Sequence, residues 1–229
     1  MPLPTFTAWP FGRARLAPEN AHVMTFESQK GKYFVLSASL WSDGIGPGLV
    51  IANEEKLIRP GMYTMEAPDG DPSQYCERPH IVHVPEEGGA LRQFEQWCGI
   101  WIVSEPLKRV FESVDPEAFV FSACDYTQAD GSPGPQYYFC SVIRTLDALD
   151  VEASRVKKKY DRNFLTGEDE LYYSVVGGAN LVFRDERVGN AHIFCQTLMS
   201  IDPVVDREMH DALCAADLDG VRLRDAADL

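Results

Sequence analysis

Carboxylates are the residues most able to do chemistry in this chain. In RTLDALDVEAS (144–154), Asp147, Asp150 and Glu152 fall within six positions, between an aromatic run and a basic one. On a helix Asp147 and Asp150 would share a face, whereas on a strand they would point opposite ways. Acid/base use requires surroundings that drive two carboxyl pKa values apart. A divalent cation requires several convergent oxygens. The stretch offers neither a D-x-D-x-D loop nor a nearby histidine. Capping is the cheaper account: Asp150 caps a helical turn opening at VEAS, and SRVKKKY continues it as an amphipathic stretch.

The sharpest metal candidate is CERPHIVHVPEE, with Cys76, His80, His83 and Glu87. Pro79, Pro85 and the β-branched Ile81-Val82 favour a strand, which turns His80 and His83 to opposite faces. The spacing of a four-ligand site is not met. DGIGPG lacks the Lys-Ser/Thr that ends a phosphate-binding loop, and reads as a turn. Cys98 and Ser104 are nucleophiles without a positioned base in their neighbourhood. Neither G-x-S-x-G nor H-E-x-x-H occurs. Lys157-Lys158-Lys159 reads as a solvated face or a source of internal salt bridges, because it stands on an acidic chain.

The elements that would position these residues are mostly strands. KYFVLSASLW (32–41), GLVIAN (48–53) and PHIVHVP (79–85) are β-branched and aromatic runs between turn-forming clusters. EAFVFSAC (117–124) and PQYYFCSVI (135–143) predict a hairpin with a long polar connection. ELYYSVVGG (170–178), NLVFRDE (180–186) and AHIFCQ (191–196) predict three further strands. SEPLKRVFESVD (104–115) predicts a helix: Ser104 caps it, Pro106 suits its first turn, and Leu107, Val110, Phe111 and Val114 form one buried face. A last helix is expected to start at Asp202-Pro203, with Val205, Met209, Ala212, Leu213 and Ala216 as its apolar stripe. Strands without regular βαβ alternation imply an α+β fold, a mixed and largely antiparallel sheet with a few amphipathic helices. A boundary, if present, falls near Gly88-Gly89, separating a strand-rich region 1–95 from an α+β region 96–229, or the chain is one continuous domain.

The 229 residues suffice for a full core. A net charge of -14, from 35 acidic and 21 basic residues, argues against nucleic acid or an anionic membrane as a direct partner. It favours a protein partner with a basic surface, which such a charge would steer into contact. MPLPTFTAWPFGRARLAP lacks the apolar run of a signal peptide, and no window approaches a membrane helix, so a cytoplasmic location is expected. Cys76, Cys98, Cys124, Cys140, Cys195 and Cys214 contain no C-x-x-C pair and read as small buried hydrophobes.

The second half resembles immunity protein family 11 of bacterial polymorphic toxin systems. The resemblance is carried by YYFCSVIRTLDALDVEAS, LVFRDERVGNAHIFC and ADLDGVRLRD, and covers about residues 100–225. It implies a cognate inhibitor that neutralises a secreted toxin by stoichiometric binding, without an enzymatic activity or a cofactor of its own. Several members look like neighbours of nuclease-type toxins, and the toxin class varies within the family. Asp147, Leu149, Asp150, Ser154, Phe183, Arg184, Phe194, Gly220 and Val221 match the family's pattern and look like fold determinants.

On this reading the contact residues are sought among exposed acidic loops. They are Glu168, Asp169 and Glu170 in TGEDEL, Asp185 and Glu186 in FRDERVG, and Asp125 and Asp130 in the hairpin connection. Tyr126, Tyr172 and Tyr173 are the candidate aromatic anchors, since contact energy concentrates in aromatic residues more than in carboxylates alone. Because Tyr172 and Tyr173 point to opposite strand faces, one of that pair is expected in the core. The alternative is a metal-dependent hydrolase using Asp147, Asp150, Glu152 and His80 or His83. A homo-oligomeric regulatory protein is the third reading.

Overall fold

A computed structural model describes residues 29–41, 44, 46–163 and 166–229. The N-terminal stretch 1–18, expected not to be a leader, lies outside the described residues, as does part of the turn SDGIGPG. Among the described residues the chain folds into thirteen strands and four α-helices, mostly in antiparallel sheets, so the α+β expectation holds. In chain order these are β1 (Tyr33–Ala38), β2 (Leu49–Ile51), α1 (Glu54–Leu57), β3 (His80–His83), β4 (Phe94–Trp97) and β5 (Ile100–Ser104). There follow α2 (Glu105–Val114), β6 (Phe119–Thr127), β7 (Tyr137–Val142), β8 (Thr145–Leu146), β9 (Lys157–Arg162) and β10 (Asp169–Ser174). The last are α3 (Asp185–Val188), β11 (Ile193–Gln196), β12 (Val204–Asp206), α4 (Arg207–Ala216) and β13 (Val221–Asp225).

Six strands form one sheet in the order β2-β3-β6-β7-β5-β4, and five form a second in the order β13-β1-β12-β11-β8. Only β3/β6 and β11/β8 run parallel within these sheets. Strands from both sides of Gly88-Gly89 share each sheet: β1 lies between β12 and β13, and β3 against β6.

The unbroken apolar runs of β1 and β5 reflect burial on both faces. Phe34 and Leu36 of β1 join Trp101 and Val103 of β5 in a cluster with α2 and α4, while Tyr33 and Val35 face a second cluster with Phe183 and Phe194. On the other face of β5, Ile100 and Ile102 pack with Met65, Leu57 and Phe139. The predicted first helix is α2: the Ser104 hydroxyl accepts from the Leu107 amide, and Leu107 and Phe111 are wholly buried. The β6–β7 hairpin also forms as expected.

Three expectations are corrected. First, the last helix begins at Arg207, not Asp202-Pro203, because Val204 and Val205 are taken by β1 and β11 as strand partners. Asp206 is its cap, accepting from the Met209 amide at 3.0 Å, and Met209 and Leu213 are the buried stripe. Secondly, the basic run is strand β9, not helix, since residues 169–174 pair with it through all six positions. Asp150 does cap a turn, accepting from the Ala153 and Glu152 amides at 3.1 and 3.2 Å. Thirdly, NLVFRDE makes only isolated bridges, Asn180 with Arg155 and Phe183 with Leu149, and its acidic end opens α3. Among the cysteines, Cys124 and Cys140 are buried and Cys195 partly so, but Cys76, Cys98 and Cys214 are exposed. Burial pushes the Cys124 thiol up to about 12.

The residues proposed as fold determinants sit where the chain must close. The Ser154 hydroxyl accepts from the Val182 amide at 2.9 Å, and Arg184 pairs with Asp150 at 3.4 Å. Phe183 and Phe194 meet edge to face with centroids 5.5 Å apart. At Gly220 a Cβ would lie 2.2 Å from the Phe94 carbonyl oxygen, so only glycine lets β13 approach β4 here.

Candidate partner-binding surface

Asp147, Asp150 and Glu152 do not converge on one site. Asp147 accepts from the Thr197 hydroxyl at 3.2 Å, and Asp150 is engaged with its turn and Arg184. His80 Nε2 lies 2.8 Å from Thr127 Oγ1, His83 Nε2 lies 3.4 Å from the Gly88 carbonyl, and the Cys76 thiol donates to the Lys56 carbonyl. Among the described residues no group of three or more His, Cys, Asp or Glu side chains could hold a metal ion.

The eight residues expected to touch a partner lie on three separate segments. On the β6–β7 hairpin, Asp125 is ion-paired with Arg78 at 3.1 Å. Asp130 closes its own loop, accepting from the Ser132 amide and hydroxyl, and these bonds hold its carboxyl below the usual range. Tyr126 is half-buried, edge-on to Tyr137 with centroids 5.4 Å apart, and a Cβ at Gly134 would lie 2.1 Å from its ring. It is a packing residue before it is an anchor. On α3, Asp185 is held by Lys32 at 2.5 Å and by the Tyr33 hydroxyl at 2.9 Å. Burial alone would raise its pKa, but these two bonds and the Lys32 charge outweigh it and lower the carboxyl. Glu186, next to it, is exposed.

The third segment differs. β9 and β10 form a two-stranded ribbon that joins neither main sheet. Its base is anchored: Tyr173 and Val175 pack on the cluster around Phe183 and Phe194, and the Tyr173 amide donates to the Leu198 carbonyl at 2.7 Å. From there the ribbon extends into solvent. Every residue of β9 is exposed, and so are Glu168, Asp169 and Glu170 at the far end. Glu170 accepts from the Asn163 amide group at 2.7 Å.

The ribbon's charges complement one another only in part, with Arg162 opposite Asp169. Residues directly opposite in an antiparallel pair share a face, and like charges there repel. Asp161 stands opposite Glu170. Lys158 and Lys159 stand opposite Tyr173 and Tyr172, and neither makes an ion pair among the described residues. The three lysines are exposed and make no ion pair among the described residues, in keeping with a solvated face. The sequence alone could not place this ribbon, because TGEDEL and KKKYDR read equally well as a loop and a helix. Their shared exposure comes from pairing with each other and with no main sheet.

Among the described residues no helix is long and apolar enough to cross a membrane. The model of the immunity protein family Imm11 matches residues 32–228. That span is wider than the sequence resemblance suggested, and takes in β1 to β5 as well as the second half. No curated protein matches the chain significantly.

Proposed function

Because the chain belongs to the immunity protein family Imm11, matched over nearly its whole length, we propose that it neutralises one cognate toxin by stoichiometric binding in the cytoplasm, without chemistry of its own. The family match carries this reading. The acidic excess supports a nuclease-type toxin, since such enzymes present basic clefts to bind phosphates. An acidic inhibitor fills that cleft and associates quickly through steering.

Of the eight candidate contacts, Glu168, Asp169, Glu170 and Glu186 are the best placed. Their carboxylates have no ion-pair partner among the described residues, whereas Asp125 and Asp185 are already neutralised by Arg78 and Lys32. A new contact at Asp125 or Asp185 would first have to break an existing one.

The test is co-expression with the toxin-like product of the adjacent reading frame, scored by a one-to-one complex and restored growth. Reversing Glu168, Asp169 and Glu170 to lysine is expected to slow association about 10-fold at low salt, with the difference fading as salt rises. A folded protein that binds no neighbouring product would overturn the immunity reading. An unchanged association rate would move the contact away from the ribbon tip.

A further inference from the structure

β9 has an open edge. The Asn163 amide turns inward to the Glu168 carbonyl at 2.8 Å, while across the ribbon the Tyr173 amide turns away from β9 to Leu198. Lys158 lies opposite Tyr173, so by the alternation of an antiparallel ladder its main-chain N–H and C=O point to the outer side. Those of Tyr160, two residues on, do the same. The next outward amide, that of Arg162, is taken by its neighbour's carboxylate, Asp161 Oδ1, at 2.9 Å. Beyond β10, β9 has no strand partner among the described residues. The result is a row of donors and acceptors without a partner among the described residues, on a fully exposed strand where Tyr160 is 69% exposed.

The side chains select what can pair there. Lys157, Lys158, Lys159 and Arg162 put four cations against the single carboxylate of Asp161, on a chain whose net charge is -14. Cations stand on both faces: Lys158 and Arg162 with Tyr160 on one, Lys157 and Lys159 on the other. A second copy of β9 would set lysine against lysine, and edge lysines oppose such pairing. A strand bearing carboxylates at successive positions would be attracted on both faces.

We propose that β9 receives an acidic, extended segment of the cognate toxin as a third strand, with main-chain bonds to Lys158 and Tyr160. This rests on the immunity reading and deepens it. The toxin then presents a charge-mixed surface, basic where it meets the carboxylates at the ribbon tip and acidic along the strand laid on β9.

The test uses the full chain and the toxin-like product of the adjacent reading frame. Tyr160→Pro removes the outward amide without touching the ladder to β10, and Tyr160→Thr retains it. In the complex, the Lys158 and Tyr160 amides are expected to exchange much more slowly than in the free protein. Tyr160→Pro is expected to weaken binding about 10- to 100-fold, the scale of one buried amide or carbonyl left unpaired, with Tyr160→Thr much closer to the parent. Lys158→Glu with Lys159→Glu is expected to slow association about 10-fold at low salt. Should Tyr160→Pro fail to fold, amide exchange on the unaltered chain decides alone. A tight complex with unchanged exchange at 158 and 160 overturns the strand-addition proposal and leaves immunity standing. Absence of any complex overturns both. Protection of these amides in the free protein, with a dimer by light scattering, assigns the edge to a second copy and also refutes the proposal.

Discussion

Replacing Arg144 with alanine should be among the most damaging single changes to this fold. Arg144 lies between β7 and β8, where the chain passes from the six-stranded to the five-stranded sheet. Its guanidinium grips both carboxylate oxygens of Asp115, the residue that ends α2, with Nη2 3.0 Å from Oδ1. A third bond reaches the Ile193 carbonyl at 3.3 Å, and the His192 amide donates to the same carboxylate at 3.0 Å. The Asp115 side chain is only 6% exposed. Burial pushes its pKa up, but the bonds and charge of Arg144 and the His192 amide prevail and hold it below the usual carboxylate range. Arg144→Ala leaves that charge buried with one amide for company. Breaking such a pair from one side costs roughly 3–5 kcal/mol, a large share of the 5–15 kcal/mol that a domain typically has. With a urea slope of about 2–3 kcal/mol per molar, the unfolding midpoint should fall by about 1–2 M at pH 7. The pH dependence has a definite sign. In the parent, a lowered carboxyl contributes stability above about pH 4, and that stability is lost as pH falls through the folded-state pKa. In the variant the unpaired Asp115 takes up a proton at higher pH, which relieves its penalty, so the gap to the parent should narrow between pH 7 and pH 4. Arg144→Ala with Asp115→Ala should be more stable than Arg144→Ala alone. A gap below 1 kcal/mol at pH 7, or one that does not change with pH, would refute the reasoning.

Two other perturbations test the joints between elements. Glu95, 2% exposed, accepts from the Arg92 guanidinium at 2.8 Å and from Trp41 Nε1 at 3.3 Å, and the guanidinium lies 4.4 Å above the Trp41 ring. Glu95→Gln leaves Arg92 without its counter-charge and should cost about 2–4 kcal/mol, read by urea unfolding, with a red shift of tryptophan emission. Asp206→Ala removes the cap of α4 and the 2.8 Å bond to His192 Nδ1, and should cost about 1–2 kcal/mol. Asp202→Ala, at the position where the sequence places the cap, should stay within about 0.5 kcal/mol. Burial raises the Asp202 carboxyl, so its removal relieves a half-buried acid. Equal losses from the two variants would show that Asp206 is not the cap.

What the sequence determined on its own was local. Ser104, Pro106 and the Leu107/Phe111 spacing specify α2 because cap, first turn and buried face all lie within one short segment. The β6–β7 hairpin is legible for the same reason, as two apolar strands around a polar connection. The family resemblance was visible in residues that close the fold, such as Phe183, Phe194 and Gly220. Tertiary structure decided the rest. Val204 and Val205 look like the start of a helix until β1 and β11 claim them from distant parts of the chain. KKKYDR becomes a strand because DELYYS lies opposite it, and lysine has no strong preference of its own to resist that pairing. The acidic candidates were equivalent as a list of exposed carboxylates. Folding separated them, by bringing Arg78 to Asp125 and Lys32 to Asp185 across 47 and 153 positions of sequence, while the carboxylates of the ribbon tip make no ion pair among the described residues. A charge's availability depends on what the fold sets beside it, and that is a long-range property that no window of sequence contains.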